Sequence, residues 1–290
     1  MARCDGRPAG AYAYDTRMKE GAIRAAIFDV GNTLWFQAVA PDVDAIVQTQ
    51  AERVGRLLGA WGIDNDVPLE AVLREIWDAF GAADALERER GSLRELDLSA
   101  LIRGLLARWR IAITAEEAEA WHRAAWVPVR LFGVQLYPDA VDVLRELHGM
   151  GMRVGINTNR PCTAEMFEED LADFGLAPYV NAVVCSGDTG FVKPHASTFE
   201  LVLRRLGVTA GEAVMVGDSA DGDMRGAKAV GMRTVWKLNG RYDVRSCADA
   251  DYTIHDLCEL LSLPLFGRDR RAAVSVESLT PHEDGNADRY

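Results

Sequence analysis

Ala25-Ala26-Ile27-Phe28-Asp29-Val30-Gly31-Asn32-Thr33-Leu34 sets a short apolar run against an acidic, glycine-containing turn. A run this short, apolar at every position, has no polar face to offer water, so it suits a strand buried on both sides of a parallel sheet. Runs of the same kind recur downstream: Arg153-Val154-Gly155-Ile156-Asn157, Ala182-Val183-Val184-Cys185, Ala213-Val214-Met215-Val216, Arg233-Thr234-Val235-Trp236 and Asp251-Tyr252-Thr253-Ile254. Helical patterns lie between them. Asp139 to His148 places Val141, Leu144 and Leu147 on one face and stops at Gly149 and Gly151. Ser197-Thr198-Phe199-Glu200 has the spacing of a capping box and leads into Leu201, Leu203 and Leu206. Strands alternating with single helices predict right-handed βαβ units, hence an α/β fold with a doubly wound, Rossmann-like, mostly parallel sheet.

The alternation breaks once. From about Pro41 to Phe132 there is no strand pattern, only amphipathic stretches at 42–60, 69–86, 92–109 and 114–126, punctuated by Asp64-Asn65-Asp66, Gly91-Ser92 and Thr114. The expected organisation is a catalytic core of 22–40 and 133–266, with an all-helical cap domain of 41–132 inserted after the first strand. The chain would leave and re-enter the core through hinges near 36–41 and 130–136. Residues 1–21 lack periodicity and 267–290 are charged and polar, so both ends read as tails, the first disordered.

Lys and Arg total 32 against 44 Asp and Glu, a formal net charge of −12 that repels nucleic acid and anionic membrane. The same field disfavours an anionic substrate unless local cations offset it. The five cysteines, Cys4, Cys162, Cys185, Cys247 and Cys258, show no CxxC spacing and read as reduced thiols. With no signal-like or membrane-spanning apolar stretch, the expected location is cytoplasmic, as a monomer or homodimer.

In an open parallel sheet, ligands collect beyond the carboxyl ends of the strands. Four consecutive runs are followed there by Asp29, by Thr158-Asn159-Arg160, by a loop ending in Lys193-Pro194, and by Gly217-Asp218-Ser219-Ala220-Asp221-Gly222-Asp223. Carboxylates converging in a partly desolvated cleft repel each other, and a hard cation with oxygen ligands, Mg²⁺ above all, relieves this. The metal also makes an acidic pocket accept an anion. Thr158 and Lys193 can then bind phosphoryl oxygens, and Asp29 can act as nucleophile. Taken singly, each feature has a plainer reading: Asp29 as a turn, Thr158 as a helix N-cap, Lys193-Pro194 as a surface loop, Asp218 as a cap and Asp223 as a solvated carboxylate. Their placement after successive strands makes one site the better account.

These segments resemble the signature motifs of the haloacid dehalogenase-like superfamily, in the same order. Phe28 to Leu34 resembles the first, with Asp29 at the nucleophile position, and Ile156-Asn157-Thr158-Asn159 the second. Gly190-Phe191-Val192-Lys193-Pro194, with Phe199 beyond, resembles the third, and Val216 to Ser219 through Asp223-Met224-Arg225-Gly226-Ala227 the fourth. The resemblance spans roughly residues 22–264 and includes a helical insert between the first two motifs. It implies a Mg²⁺-dependent phosphatase forming an aspartyl-phosphate on Asp29 with a small phosphorylated metabolite. Mg²⁺ would be held by Asp29, the Gly31 carbonyl and Asp218, with Asp223 in support. Most phosphatases of the family carry a second Asp, the general acid and base, where this chain has Gly31.

Gly31 leaves open a good leaving group, a proton from another residue or water, or weak activity. It also supports the rival reading of a catalytically degenerate binding or regulatory protein. A metal-free 2-haloacid dehalogenase, which also uses an Asp nucleophile, is the rival within enzymes. Asn159 and Arg160 are expected at the substrate, although a surface salt bridge suits Arg160 equally. Trp121, His122 and Trp126 in the cap read as packing before ligand contacts, and His195 as a solvated loop histidine before a proton donor.

Overall fold

The computed structural model describes residues 22–63, 67–239 and 247–266. Both expected tails, Cys4 and the Asp64-Asn65-Asp66 turn lie outside the described residues. In chain order the strands are β1 Ala25–Phe28, β2 Trp35–Gln37, β3 Val134–Leu136, β4 Arg153–Thr158, β5 Ala182–Cys185, β6 Ala213–Gly217, β7 Arg233–Lys237 and β8 Tyr252–Ile254. The helices are α1 Val43–Ala60, α2 Leu69–Glu89, α3 Leu98–Arg108, α4 Ala115–Ala125, α5 Ala140–Gly149, α6 Ala164–Asp173, α7 Ser186–Thr189, α8 Ala196–Leu206 and α9 Gly226–Ala229.

All six apolar runs are strands of one parallel sheet, ordered β5-β4-β1-β6-β7-β8. For β1, β4, β5, β6 and β7 the apolar character follows from burial on both faces, while β8 is an edge strand with Thr253 exposed. Ala26 and Phe28 of β1 and Val214 and Val216 of β6 pack with Leu144 and Leu147 of α5 and Phe167 of α6. The alternate residues, Ala25, Ile27, Ala213 and Met215, pack with Phe199, Val202 and Leu206 of α8. Each fully buried side chain of this size contributes about 1.5–3 kcal/mol, so both layers are strongly specified. The chain moves from β1 to one side through β4 and β5, then crosses to the other with β6. The reversal falls at β1, and the crevice beyond its carboxyl end is where a ligand fits.

Helices α1 to α4 bury a core of their own, including Val54, Leu58, Leu73, Leu106 and Trp121. Asp42 and Asp97 cap α1 and α3, and Thr114 forms a capping box with Glu117 at the start of α4. Among the described residues, no helix is long and apolar enough to cross a membrane.

Four details differ from expectation. The stretch expected to be helical from 92 begins its helix only at Leu98, because the preceding backbone pairs elsewhere. Val192 N–H donates to the Leu93 carbonyl at 2.9 Å and Glu95 N–H to the Gly190 carbonyl at 2.9 Å, tying the insert to the core. The two connections expected as hinges, near 36–41 and 130–136, share an antiparallel ribbon that was not expected, β2 with β3, pairing Trp35 with Leu136 and Gln37 with Val134. The Ser197–Glu200 capping box does not form. His195 is the N-cap of α8, its Nδ1 accepting from Ser197 N–H at 3.3 Å while its ring stacks on Phe191 at 3.9 Å. Finally, Val141 and Leu201 are only partly buried, and Val143, two residues on, and Val202, the next residue, take the core positions.

Candidate active site

Asp29, Thr158, Lys193, Asp218 and Asp223 are all buried, and all five line one cleft of about 490 Å³. Asp29 leaves β1 with its N–H bonded to the Val216 carbonyl of the neighbouring strand at 2.9 Å. Thr158 ends β4; the helix that follows is capped by Thr163, so Thr158 is not a cap. Asp218 follows β6, and Asp223 sits in the π-helical turn Ala220–Arg225. That turn packs closely: a Cβ on Gly217 would lie 2.2 Å from Asp223 Oδ2, so only glycine lets the carboxylate approach the strand end.

Lys193 organises the site. Its Nζ donates to Asp29 Oδ1 at 2.7 Å, Asp223 Oδ1 at 2.7 Å and the Asn157 carbonyl at 2.8 Å, using all three ammonium hydrogens. The Asn159 amide brackets the same residue from behind. Its Oδ1 accepts from Lys193 N–H at 2.7 Å and its Nδ2 donates to the Lys193 carbonyl at 3.5 Å. Asn159 lines the cleft, and both ends of its amide hold the lysine backbone.

One carboxylate oxygen from each of Asp29, Asp218 and Asp223 lies within 4.8 Å of the other two. Three carboxylates around one ammonium leave two negative charges uncompensated in a buried site. Burial raises the Asp218 pKa to about 6, with the Asp29 charge adding to it. Burial likewise raises Asp223. For Lys193 burial acts downward, but the charges of Asp223 and Asp29 outweigh it and keep the ammonium above the ordinary lysine value. A divalent cation matches this excess in sign and size, and an all-oxygen donor set suits a hard ion.

Removing the ammonium isolates the two buried carboxylates. Lys193→Met is expected to cost about 3–5 kcal/mol of stability, the usual penalty for breaking a buried ion pair on one side. Thermal unfolding in EDTA checks this, and added Mg²⁺ should restore part of the loss by neutralising the same charges.

Three residues that the strand-end reading passed over also build the site. Trp236 Nε1 donates to the Asp218 carbonyl at 2.8 Å and Asn239 Nδ2 to Asp218 Oδ2 at 2.8 Å. Asn32, in left-handed backbone at φ 57°, hydrogen-bonds the same carboxylate. The rule that found Asp218 after β6 reaches Asn239 if it is also applied after β7. Other members carry no such signal: Phe80, Asp84 and Arg88 of α2, with Glu95, close the cleft from the helical insert. Arg160 also lines it, its guanidinium 5.4 Å from the Trp35 ring and 5.6 Å from that of Phe167.

His195 is committed to its cap, and Trp121 is core. Burial, and secondarily the Arg123 charge, lower the His122 pKa to about 4. Between that value and the ordinary 6.5, the unfolded chain binds a proton that the folded one does not. Stability from this group is therefore complete above pH 6.5 and is lost as pH falls towards 4. A loss of about 2–3 kcal/mol is expected, read as the difference in acid unfolding between the wild type and His122→Phe.

The model of the haloacid dehalogenase-like hydrolases matches residues 23–231. The chain belongs to that family. Among curated relatives, a glyceraldehyde 3-phosphate phosphatase of Methanocaldococcus jannaschii is 28% identical over 242 residues, 83% of this chain and 96% of the relative. A ribulose-1,5-bisphosphate 5-phosphatase of Halopiger xanaduensis is 39% identical over 138 residues, 45% of this chain and 57% of that protein. Among solved structures, a 2-haloacid dehalogenase from Pseudomonas syringae pv. Tomato DC3000 is 25% identical with a TM-score of 0.51, covering 85% of this chain and 99% of its own. This haloacid dehalogenase-like hydrolase is thus an enzyme whose curated relatives include phosphatases and whose fold is shared with dehalogenases.

Proposed function

We propose that this hydrolase is a Mg²⁺-dependent phosphatase of a small phosphorylated metabolite, working through an aspartyl-phosphate on Asp29. The observation that carries the reading is Lys193 held between Asp29 and Asp223, in a cleft with two unbalanced negative charges. A dianionic phosphoryl group cannot enter such a cleft without a cation. Asp29, the Gly31 carbonyl and Asp218 would hold Mg²⁺, with Asp223 beside them, and the ion would supply charge neutralisation for the phosphoryl oxygens.

The residues of the chain divide the remaining work. An Asp29 carboxylate oxygen forms a bond to phosphorus as the ester oxygen departs. Lys193, its three hydrogens committed, fixes the orientation of that carboxylate and places positive charge beside the transferring phosphoryl oxygens, while the Thr158 hydroxyl donates to them. The departing oxygen takes its proton from water, because Gly31 carries no acid. A second water then cleaves the acyl phosphate, releasing inorganic phosphate and restoring Asp29. The free buried thiols Cys162 and Cys185 suit the cytoplasm, where we place the enzyme.

The likeness to a dehalogenase raises the alternative of metal-free halide displacement by Asp29. The buried cluster of three carboxylates argues for the cation instead. A screen of phosphoesters, acyl phosphates and 2-chloropropionate, each with Mg²⁺ and with EDTA, tests the two together. Phosphate release that EDTA abolishes is the expected result. Chloride release indifferent to EDTA, without phosphate release, would overturn it.

A further inference from the structure

Beside the catalytic cleft lies a second cavity of about 370 Å³, and Phe80, Arg160 and Pro161 belong to the walls of both. Its other walls are mainly apolar, with Leu73 and Ile76 from α2, Ile102 from α3, Trp121 from α4, and Val129. A chamber of this volume is the size of a small-ligand site. Gln50 Nε2, in the wall, donates to the Ala125 carbonyl at 2.7 Å, which fixes α1 against the end of α4. His122, also in the wall, is neutral at pH 7, which leaves Arg160 at the shared boundary as the charged wall residue.

We propose that this chamber receives the leaving group of the substrate, and that this group is an uncharged alkyl or aryl body. The inference rests on the phosphatase reading and narrows its substrate class to phosphomonoesters of apolar alcohols or phenols. Such a substrate differs from the polar glyceraldehyde 3-phosphate in the name of the M. jannaschii relative. With the phosphoryl group at Asp29, the body of the ester passes Phe80, Arg160 and Pro161 into the chamber and covers apolar wall that otherwise faces water.

Primary alkyl phosphates from n-propyl to n-octyl test this. Their leaving oxygens have nearly constant basicity, so the chemistry is held fixed while apolar length grows. The kcat/KM should rise by about fourfold per methylene until the chamber is full. Ala125→Phe, which adds bulk to the chamber wall, should end the rise earlier and cost the longest ester about tenfold relative to the shortest. A flat or falling series in the wild type would overturn the proposal while leaving the phosphatase reading in place.

If no ester is cleaved, p-nitrophenyl phosphate with Mg²⁺ included, the phosphatase reading itself fails. The chamber is then judged by titrating the enzyme with n-hexanol and following the indole N–H resonances of Trp121 and Trp126. Shifts in those two would retain an apolar binding site; unmoved signals would remove it as well.

Discussion

Asp29→Asn lowers turnover on the order of 10⁴-fold or more while the protein stays folded, as expected for loss of a nucleophile from a cooperating set. The two halves of this outcome have separate causes. Turnover falls because an amide oxygen is a poor nucleophile for phosphorus and cannot carry the acyl phosphate. The fold survives because Lys193 still donates to Asp223 and to the Asn157 carbonyl, and an amide oxygen at position 29 can accept the third hydrogen. One negative charge also leaves a cluster that holds two too many. In EDTA the variant should therefore melt no lower than the wild type, while the stabilisation gained from Mg²⁺ shrinks with the loss of a ligand. Phosphate release paired with thermal unfolding, each with and without Mg²⁺, checks both. Full activity in the variant would remove Asp29 from the chemistry.

Gly31→Asp should raise the rate on poor leaving groups by about 10²-fold, the lower end of what a positioned general acid contributes. The structure has room for the change. A Cβ at position 31 meets no heavy atom within 4 Å, and the position lines the cleft two residues after Asp29. A carboxylic acid there can protonate the departing oxygen and afterwards deprotonate the attacking water. The gain should be selective, large for alkyl phosphates and small for p-nitrophenyl phosphate, whose phenolate departs without help. The variant adds another negative charge to the site, so its demand for Mg²⁺ should also increase. Equal effects on both substrates, measured as kcat, would mean that position 31 does not serve the leaving group. The same experiment weighs the idea of a degenerate protein: a fold awakened by one carboxylate has kept the remaining machinery, from Thr158 to Asp223.

The strands were readable because each is apolar on both faces, a pattern that burial in a parallel sheet imposes locally. The active-site residues were readable for a related reason. A strand end in such a sheet faces the crevice, so Asp29, Thr158 and Asp218 are placed by a few residues of local context. Lys193 depended on order along the chain, since nothing local separates it from a surface lysine. The boundary of α3 and the start of α8 were not readable. Arg94 pairs with Phe191 across a distance in the chain that no local window spans, and the His195 ring rests on Phe191 four residues before it, a ring contact that capping patterns do not encode. The β2–β3 ribbon was missed likewise, because each strand has three residues and is defined only by its partner about a hundred positions away.

The sequence alone determined the parallel sheet, the helical stretch between its first two strands and which residues meet at the strand ends in one cleft, because periodicity and strand-end position are properties of short segments. Tertiary structure alone decided how the charges balance and what lies above them. One ammonium is shared by two carboxylates, Asn239 and Trp236 hold Asp218, and the insert turns Phe80, Asp84 and Arg88 to the cleft and encloses an apolar chamber. These depend on which face of each helix meets the core, and amphipathic pattern shows that a face is buried without showing what buries it.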